Sequence, residues 1–449
     1  MKTLSSCLFA LAAAILCSCT ENESLSVDQI VVRQEAMRRV DILSSDNTVI
    51  PSSLKDVHCY YVSASGDDAN DGLSARHPVR TISRLSSLQL DSGDVVLFRR
   101  GDVWRISDDT LCVSCCRGVT YSSYGRGVKP AFYGSPYDGA REGEWILTDV
   151  PGVYRYSLPF RSDVGAVVMD ESFSAQKVMI ERRSSGAHLH VVTGEPFESW
   201  RDLSRDMDFF QEGETLYLCS LEGVPSSVYD EIEFNMACDG FKPSDYVNLD
   251  NLCIRHCGND AIHASGVTSL HVTNCEIGWT GGSIFMDDPS RKIPTRAGNG
   301  ISMYGSCSDF LVKNCYIYQC YDAGLSHSYN FRGTDSVLMS GVGYIGNLIA
   351  DCVYSVEYYL PCGDTPDVPR LISDMRIEDN ICLRAGYGWG SQRPDKYAPR
   401  HIRTWHSDNH MTGGVIRGNT FYKCTHQVFE IHSARPEWAP LMENNITVE

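Results

Sequence analysis

Positive charge is scarce in this chain of 449 residues: 39 Lys and Arg stand against 57 Asp and Glu, a formal charge of −18. That balance excludes a protein that grips nucleic acid by its phosphates, which needs concentrated cations, and equally a basic surface for anionic membranes. Long apolar runs are missing as well. Past the N-terminal segment nothing approaches the roughly 18 residues that cross a bilayer as a helix. Close cysteine pairs, the usual mark of bound zinc, are nearly absent: only Cys115-Cys116 near Cys112 hints at one, with a local disulfide as the alternative. No 3.6-residue period organises the second half, so it is not a helical bundle. What remains, 43% hydrophobic and 21% charged, is the composition of a folded protein.

The first residues read as an export signal. Lys2 precedes an apolar run from Cys7 to Cys17, and Leu16-Cys17-Ser18-Cys19 resembles a bacterial lipoprotein signal in which Cys19 takes the lipid. A plain secretory leader is the alternative. Residues 1–19 are therefore expected to be a signal peptide with lipidated Cys19. The chain is expected to be exported and held in the cell envelope, at the outer membrane or cell surface, touching the membrane through that anchor only. Residues 20–56, Ser- and Asp-rich with mixed polarity, read as a flexible tether.

The cysteines follow a repeat. Of 19, Cys7, Cys17 and Cys19 lie in the leader, which leaves 16. Aligned on one apolar residue, the segments around Ile254, Ile277, Ile317, Ile349, Cys382 and Phe421 share an Asn, Asp or Gly before that residue and often a Cys beside it, and a partial copy ends at Ile446. Successive anchors lie 23, 40, 32, 33 and 39 residues apart, so a short unit recurs with loops of varying length. This is the signature of a solenoid. Short alternating runs such as Ser269-Leu270-His271-Val272 make each unit a set of strands, so the coil is a parallel β-helix with rungs about 4.8 Å apart. Small Cys, Thr and Ala stack inside it, and Asn side chains pair backbone groups at the bends.

The opening of the body, from Tyr60 through Asp67-Asp68-Ala69-Asn70-Asp71-Gly72, then Pro78 to Ile82 and Gly93 to Trp104, resembles the right-handed parallel β-helix proteins of the pectate-lyase-like superfamily. That resemblance implies an all-β fold: a solenoid at 57–132 and 236–449, plugged by an N-terminal capping helix, with Pro78 at its first position. Asp67, Asp68 and Asp71 read as a turn, with a calcium loop as the alternative. Residues 133–235 lose the rung pattern and read as an inserted β-rich module, similar to those that wall the substrate cleft in xylosidase-like glycoside hydrolases.

Chemistry on a solenoid comes from outward side chains aligned rung by rung. The strands around His263, Ser302, Ser326, Glu357 and Glu430 register as one polar column. Loops beside it add Trp389, Gln392, Arg393, Asp395, Trp405, His406, Asp408 and His410. Aromatic rings next to carboxylates and Arg suit a sugar site. The leading expectation is a glycoside hydrolase, which needs two carboxyl groups flanking one bond. Asp322 is assigned as nucleophile and Glu357 as acid/base, one rung apart, with Glu430 as the competing carboxyl two rungs from Glu357. His327 and His406 tune them, while His263, Tyr358, Trp389, Gln392, Arg393, Asp395 and Trp405 bind substrate, Arg393 taking an acidic sugar. No cofactor is expected. The alternatives are a polysaccharide lyase, with calcium on residues such as Asp364 and Asp367 and Arg393 or Lys396 near the proton, and a non-catalytic glycan-binding surface lipoprotein. The clustered aspartates of pectate lyases and the Gly-His-Gly of polygalacturonases are absent. The partner is a polysaccharide or oligosaccharide, and the protein is expected to be a monomer.

Overall fold

The computed structural model describes residues 25–46, 57–105, 112–362, 368–393, 398–406 and 408–449. Three long sheets wind around one interior. Sheet I has 13 strands and runs from Cys59–Val62 to Leu441–Glu443; sheet II has nine, from Val103–Arg105 to Ile446–Val448; sheet III has eight, from Val113–Ser114 to Phe429–Glu430. The rung-to-rung pairings within each are parallel, so every turn of the coil passes through I, II and III in order. The ladder of sheet II pairs Ile254 with Ile277, Ile317, Ile349, Cys382 and Phe421 in succession. These are the anchors of the sequence repeat, all fully buried. Each Ile in that stack contributes about 1.5–3 kcal/mol by leaving water.

The corner from sheet I to sheet II is the same in seven rungs. Thr273 ends one strand and Glu276 begins the next, leaving only Asn274 and Cys275 between. Asn251, Asn274, Asn314, Gly346, Asp379, Gly418 and Asn444 occupy the first corner position, with φ between 50° and 68°. That left-handed conformation costs least for Gly, Asn and Asp, which explains the residues at this step of the repeat. The second position faces inward and forms a ladder. Asn380 Oδ1 accepts from the backbone N–H and the Nδ2 of Asn347, both at 2.9 Å, and Asn380 Nδ2 donates to the Tyr344 carbonyl at 2.8 Å. Asn419 repeats the pattern on Asn380, and Asn445 on Asn419. Lower in the coil Cys275 and Cys315 hold the same position, and all 16 cysteines among the described residues are free.

The other two corners accept insertions. Between sheets II and III lie residues 134–240, 281–300 and 386–399, and between III and I lie 329–336, 360–369 and 404–410. Both banks of loops therefore border sheet III. Residues 134–240 form mostly antiparallel strands, among them Val153–Tyr156 with Thr215–Cys219, and Val164–Met169 with Ile232–Met236. This module presses on the coil where Gly165 meets Gly281, Gly282 and Ser283; a Cβ at Gly165 would stand 2.4 Å from Ser283 N.

Two expectations change. Residues Val27–Ser44, expected within a flexible tether, form an 18-residue helix laid across the outside of sheet II. Val31 and Ile42 cover Tyr316, Leu348, Leu383 and Tyr422, and Glu35 takes two bonds from Arg384 at 2.8 and 2.9 Å. The exposed ring face of sheet II needs a cover, and charge pairs rather than an apolar stripe supply much of the contact, so periodicity does not reveal it. The capping helix is Ile82–Ser86, with Leu85 buried in the coil, but Thr81 caps it and Pro78 lies outside it. Asp67, Asp68 and Asp71 each accept backbone N–H groups, as turn residues do. The signal residues and Cys19 fall outside the described residues, and no helix among those described is long and apolar enough to cross a membrane.

The Asn ladder carries a measurable share of stability. Asn380→Ala strands the Asn347 donors and the Tyr344 carbonyl, and is expected to lower unfolding free energy by about 3 kcal/mol, read as a fall in the urea midpoint with unchanged slope.

Candidate functional site

Sheet III presents one outward column unlike a merely solvated face. Its ladder pairs His263 with Ser302, Ser302 with Ser326, Ser326 with Glu357, Glu357 with Arg403 and Arg403 with Glu430. Strand alternation sends Ser326 and Glu357 outward and His327 and Tyr358 inward. His327 and Tyr358 stack at 5.4 Å inside the coil, His327 Nδ1 meets the Tyr344 hydroxyl at 3.0 Å, and burial drives the imidazole pKa down to about 3. Neither reaches a substrate on the outer face. Both assignments are corrected: each follows an outward residue by one position, which in a strand reverses the face.

Glu357 is 6% exposed. Ser326 Oγ bonds its Oε2 at 3.2 Å, and the indole N–H of Trp405 donates to its Oε1. Burial first, and then the charge of Asp322, push its pKa up to about 8, with Trp405, Ser326 and Arg393 pulling the other way. Burial and the Asp322 charge both favour the protonated carboxyl group. Asp322 sits in the short corner just before the strand Ala323–Ser328, where its carbonyl also accepts from Val353 and Tyr354 N–H at 3.1 and 3.2 Å. Its carboxylate accepts from Arg393 Nη1 at 2.7 Å. Arg393 is itself buried, its guanidinium 5.3 Å from the Tyr321 ring, which Arg296 flanks at 4.4 Å. Two carboxyl groups thus share one field, one protonated and one paired with a cation. The one-rung offset expected between them is incomplete: Asp322 also lies several residues upstream of the position opposite Glu357, and that component along the strand adds to the axial spacing.

Glu430 is otherwise engaged. It bonds Arg403, meets Arg400 at 2.9 Å and lies 3.1 Å from His432 Nε2. Arg403 in turn stacks on the Trp405 ring at 4.1 Å. A chain of contacts therefore runs from Glu430 through Arg403 and Trp405 to Glu357, which makes Glu430 a support for the acid. Arg400 and Arg403, which hold Glu430, are the residues of this candidate site that sequence reasoning missed. Arg400 and Arg403 both face outward onto Glu430 while His401 and Ile402 between them are buried in the coil, so simple alternation does not predict this strand, and the insertion at 386–399 separates it from the rung markers.

The remaining expected residues divide. Trp405 and Arg393 touch the two carboxyl groups, as described. Trp389 is buried, with Nε1 on the Gln319 carbonyl at 2.7 Å and its ring against Tyr321 at 5.2 Å, so it fastens the 386–393 loop and offers no stacking face. Gln392 Nε2 donates to Ser174 O at 2.8 Å, joining that loop to the inserted module. His406 lies against Tyr359 at 5.6 Å, and burial together with Arg332 lowers its pKa. His263 is three rungs from Glu357, about 14 Å along the coil, too far to share its sugar. It bonds Asp260 at 2.8 Å, and Asp239, Asp260 and His263 place ligand atoms within 4.8 Å of one another. Among the described residues that is the group able to hold a metal ion, and Lys242 already sits 3.1 Å from Asp239. Asp395, Asp364, Asp367 and Lys396 lie outside the described residues.

Glu357 holds its proton more tightly folded than unfolded, so the stability it contributes is complete below pH 4.5 and is lost as pH rises through about 8. Glu357→Gln has no proton to lose. Its melting temperature is expected to decline less than wild type between pH 4.5 and about 8; parallel curves would refute the elevated value.

Comparison with known proteins agrees on the coil. Residues 240–391 match the family model described as right handed beta helix region. No curated protein matches the sequence. Similar solved structures include a glycoside hydrolase (11% identity, TM-score 0.40, covering 86% of this chain and 96% of that one). XylC in complex with xylose is 12% identical at TM-score 0.39, covering 87% and 82%. A rhamnogalacturonan lyase is 9% identical at TM-score 0.35, covering 82% and 69%. At these scores the likenesses carry nothing about the reaction; the family match and the stacked parallel sheets make this chain a right-handed parallel β-helix protein.

Proposed function

We propose that this protein is a carbohydrate-active enzyme, a glycoside hydrolase in which Glu357 is the general acid and Asp322 the nucleophile or base. The observation that carries this reading is the division of labour between two neighbouring carboxyl groups. Glycoside cleavage needs one proton donor for the leaving oxygen and one carboxylate for the anomeric carbon or its water. Burial and the Asp322 charge keep the proton on Glu357, while Arg393 balances the charge of Asp322. Trp405 and Ser326 fix the orientation of the Glu357 carboxyl, so the proton is presented in one direction.

The arginines extend the reading to an acidic glycan. Three guanidinium groups, Arg393, Arg400 and Arg403, stand against the two carboxyl groups they bind, Asp322 and Glu430. That local positive excess, in a chain of charge −18, suits a uronate-containing polysaccharide. Lipid anchoring at Cys19 in the cell envelope, supported by the Leu16 to Cys19 pattern, would present sheet III to polymers outside the cell.

The test is release of products from a panel of plant and host polysaccharides by residues 21–449, with and without chelator. Reducing ends without the absorbance of unsaturated uronates, indifferent to chelator, are expected. Glu357→Gln and Asp322→Asn should each lower kcat/KM by about a thousandfold. In the wild type, kcat/KM should fall as pH rises through about 8, where Glu357 loses its proton. Unsaturated product abolished by chelator would make the protein a lyase and overturn the two-carboxyl mechanism; glycan binding without turnover would leave a binding protein.

A further inference from the structure

Phe331 is an aromatic ring in water, 64% exposed, on loop 329–336 at the downstream border of sheet III. A solitary exposed Phe on a loose tip would need no explanation. This loop is not loose. Arg370, 5% exposed, spends its guanidinium on the loop's carbonyls: Nη1 on Phe331, Nη2 on Gly333 at 3.5 Å and Nε on Asp335 at 3.1 Å. Burying a cation to hold backbone carbonyls is costly unless the loop shape is needed. Arg332 adds two bonds to Asp408, at 2.7 and 3.0 Å, three residues beyond Trp405. The loop is thus tied to the segment that supplies the Glu357 donor.

The ring also continues the candidate site. Tyr304, Ser328 and Tyr359 form the outward column two residues beyond Ser302, Ser326 and Glu357. Tyr304 meets Tyr329 at 5.2 Å, and Tyr329 meets Phe331 at 5.9 Å. By rung and strand spacing the Tyr304 backbone is about 12 Å from that of Glu357. A single sugar ring bound at the two carboxyl groups does not bridge that gap, but a short oligosaccharide does.

We infer that loop 329–336 is a second carbohydrate subsite, which binds a sugar ring of the same glycan chain on the Phe331 face while the bond to be cleaved lies at Asp322 and Glu357. The apolar C–H face of a pyranose stacks on the exposed ring, and the Arg332–Asp408 pair and the Tyr304 hydroxyl border it with partners for sugar hydroxyls. Because Arg370 has already ordered the loop, little conformational entropy is lost on binding. This inference rests on the carbohydrate reading above.

The experiment is binding of the Glu357→Gln protein, in which turnover is slowed about a thousandfold, to an array of plant- and host-derived disaccharides and hexasaccharides, with dissociation constants then measured by calorimetry. Adding Phe331→Ala is expected to weaken the hexasaccharide about tenfold while leaving the disaccharide unchanged, and Phe331→Trp should restore the hexasaccharide. Phe331 is exposed, so melting temperatures should match. Unchanged hexasaccharide affinity, or an equal loss at both lengths, overturns the subsite alone. Binding of no glycan by the parent overturns the carbohydrate reading and the subsite together.

Discussion

The structure depends on a corner of two residues. From Asn251 to Asn444 the chain passes from sheet I to sheet II through one left-handed residue and one inward residue, with no room for more. The first supplies the bend; the second, Cys or Asn in most rungs, meets its counterpart above and below. An Asn in that column satisfies backbone donors and acceptors that would otherwise be buried without partners, so the rung spacing becomes a hydrogen-bonded quantity. A corner so constrained cannot take insertions. Every long loop between Asn251 and Asn444 is displaced to the two corners that border sheet III, which therefore stands between two banks of loops.

Between those banks, the chemistry of sheet III turns on what shields each charge. Glu357 faces outward yet is covered by Trp405 and Ser326, and it lies in the field of Asp322, so its proton stays. Asp322 lies at the strand's entrance, where the loop from sheet II brings Arg393 onto it. Neither arrangement stands alone. The Arg393 loop is braced by Trp389 on Gln319 and by Gln392 on the inserted module, and Trp405 is clasped by Arg403 and, through it, Glu430. The module's part in this is mechanical: through Ser174 it braces the loop that carries Arg393.

The helix Val27–Ser44 has a parallel role on the other side of the coil. Sheet II carries Tyr316, Leu348, Leu383 and Tyr422 on its outer face, and the helix removes them from water while Glu35 neutralises Arg384. This helix is therefore part of the body, and beside sheet III the rings of Tyr304, Tyr329 and Phe331 keep part of their surface in water.

The sequence by itself determined the coil: the spacing of Ile254, Ile277, Ile317, Ile349, Cys382 and Phe421, each behind an Asn, Asp or Gly, is a local pattern, because the bend and the inward residue are neighbours in the chain. It also determined the column from His263 to Glu357, since alternation within a strand needs only the correct starting register. The same alternation turns His327 and Tyr358, one residue along, inward, but the sequence could not show that Trp389 is a brace and Trp405 a donor. Nor could it place Arg403 between Glu357 and Glu430. Those outcomes were decided by tertiary structure alone, because they depend on which of several loops of unequal length folds back over sheet III, and the contacts that settle it join residues 71 positions apart, as Arg393 and Asp322 are, or 218, as Gln392 and Ser174 are. A proton's residence on Glu357 is likewise a property of burial and a neighbouring charge, neither of which is written in the residues beside it.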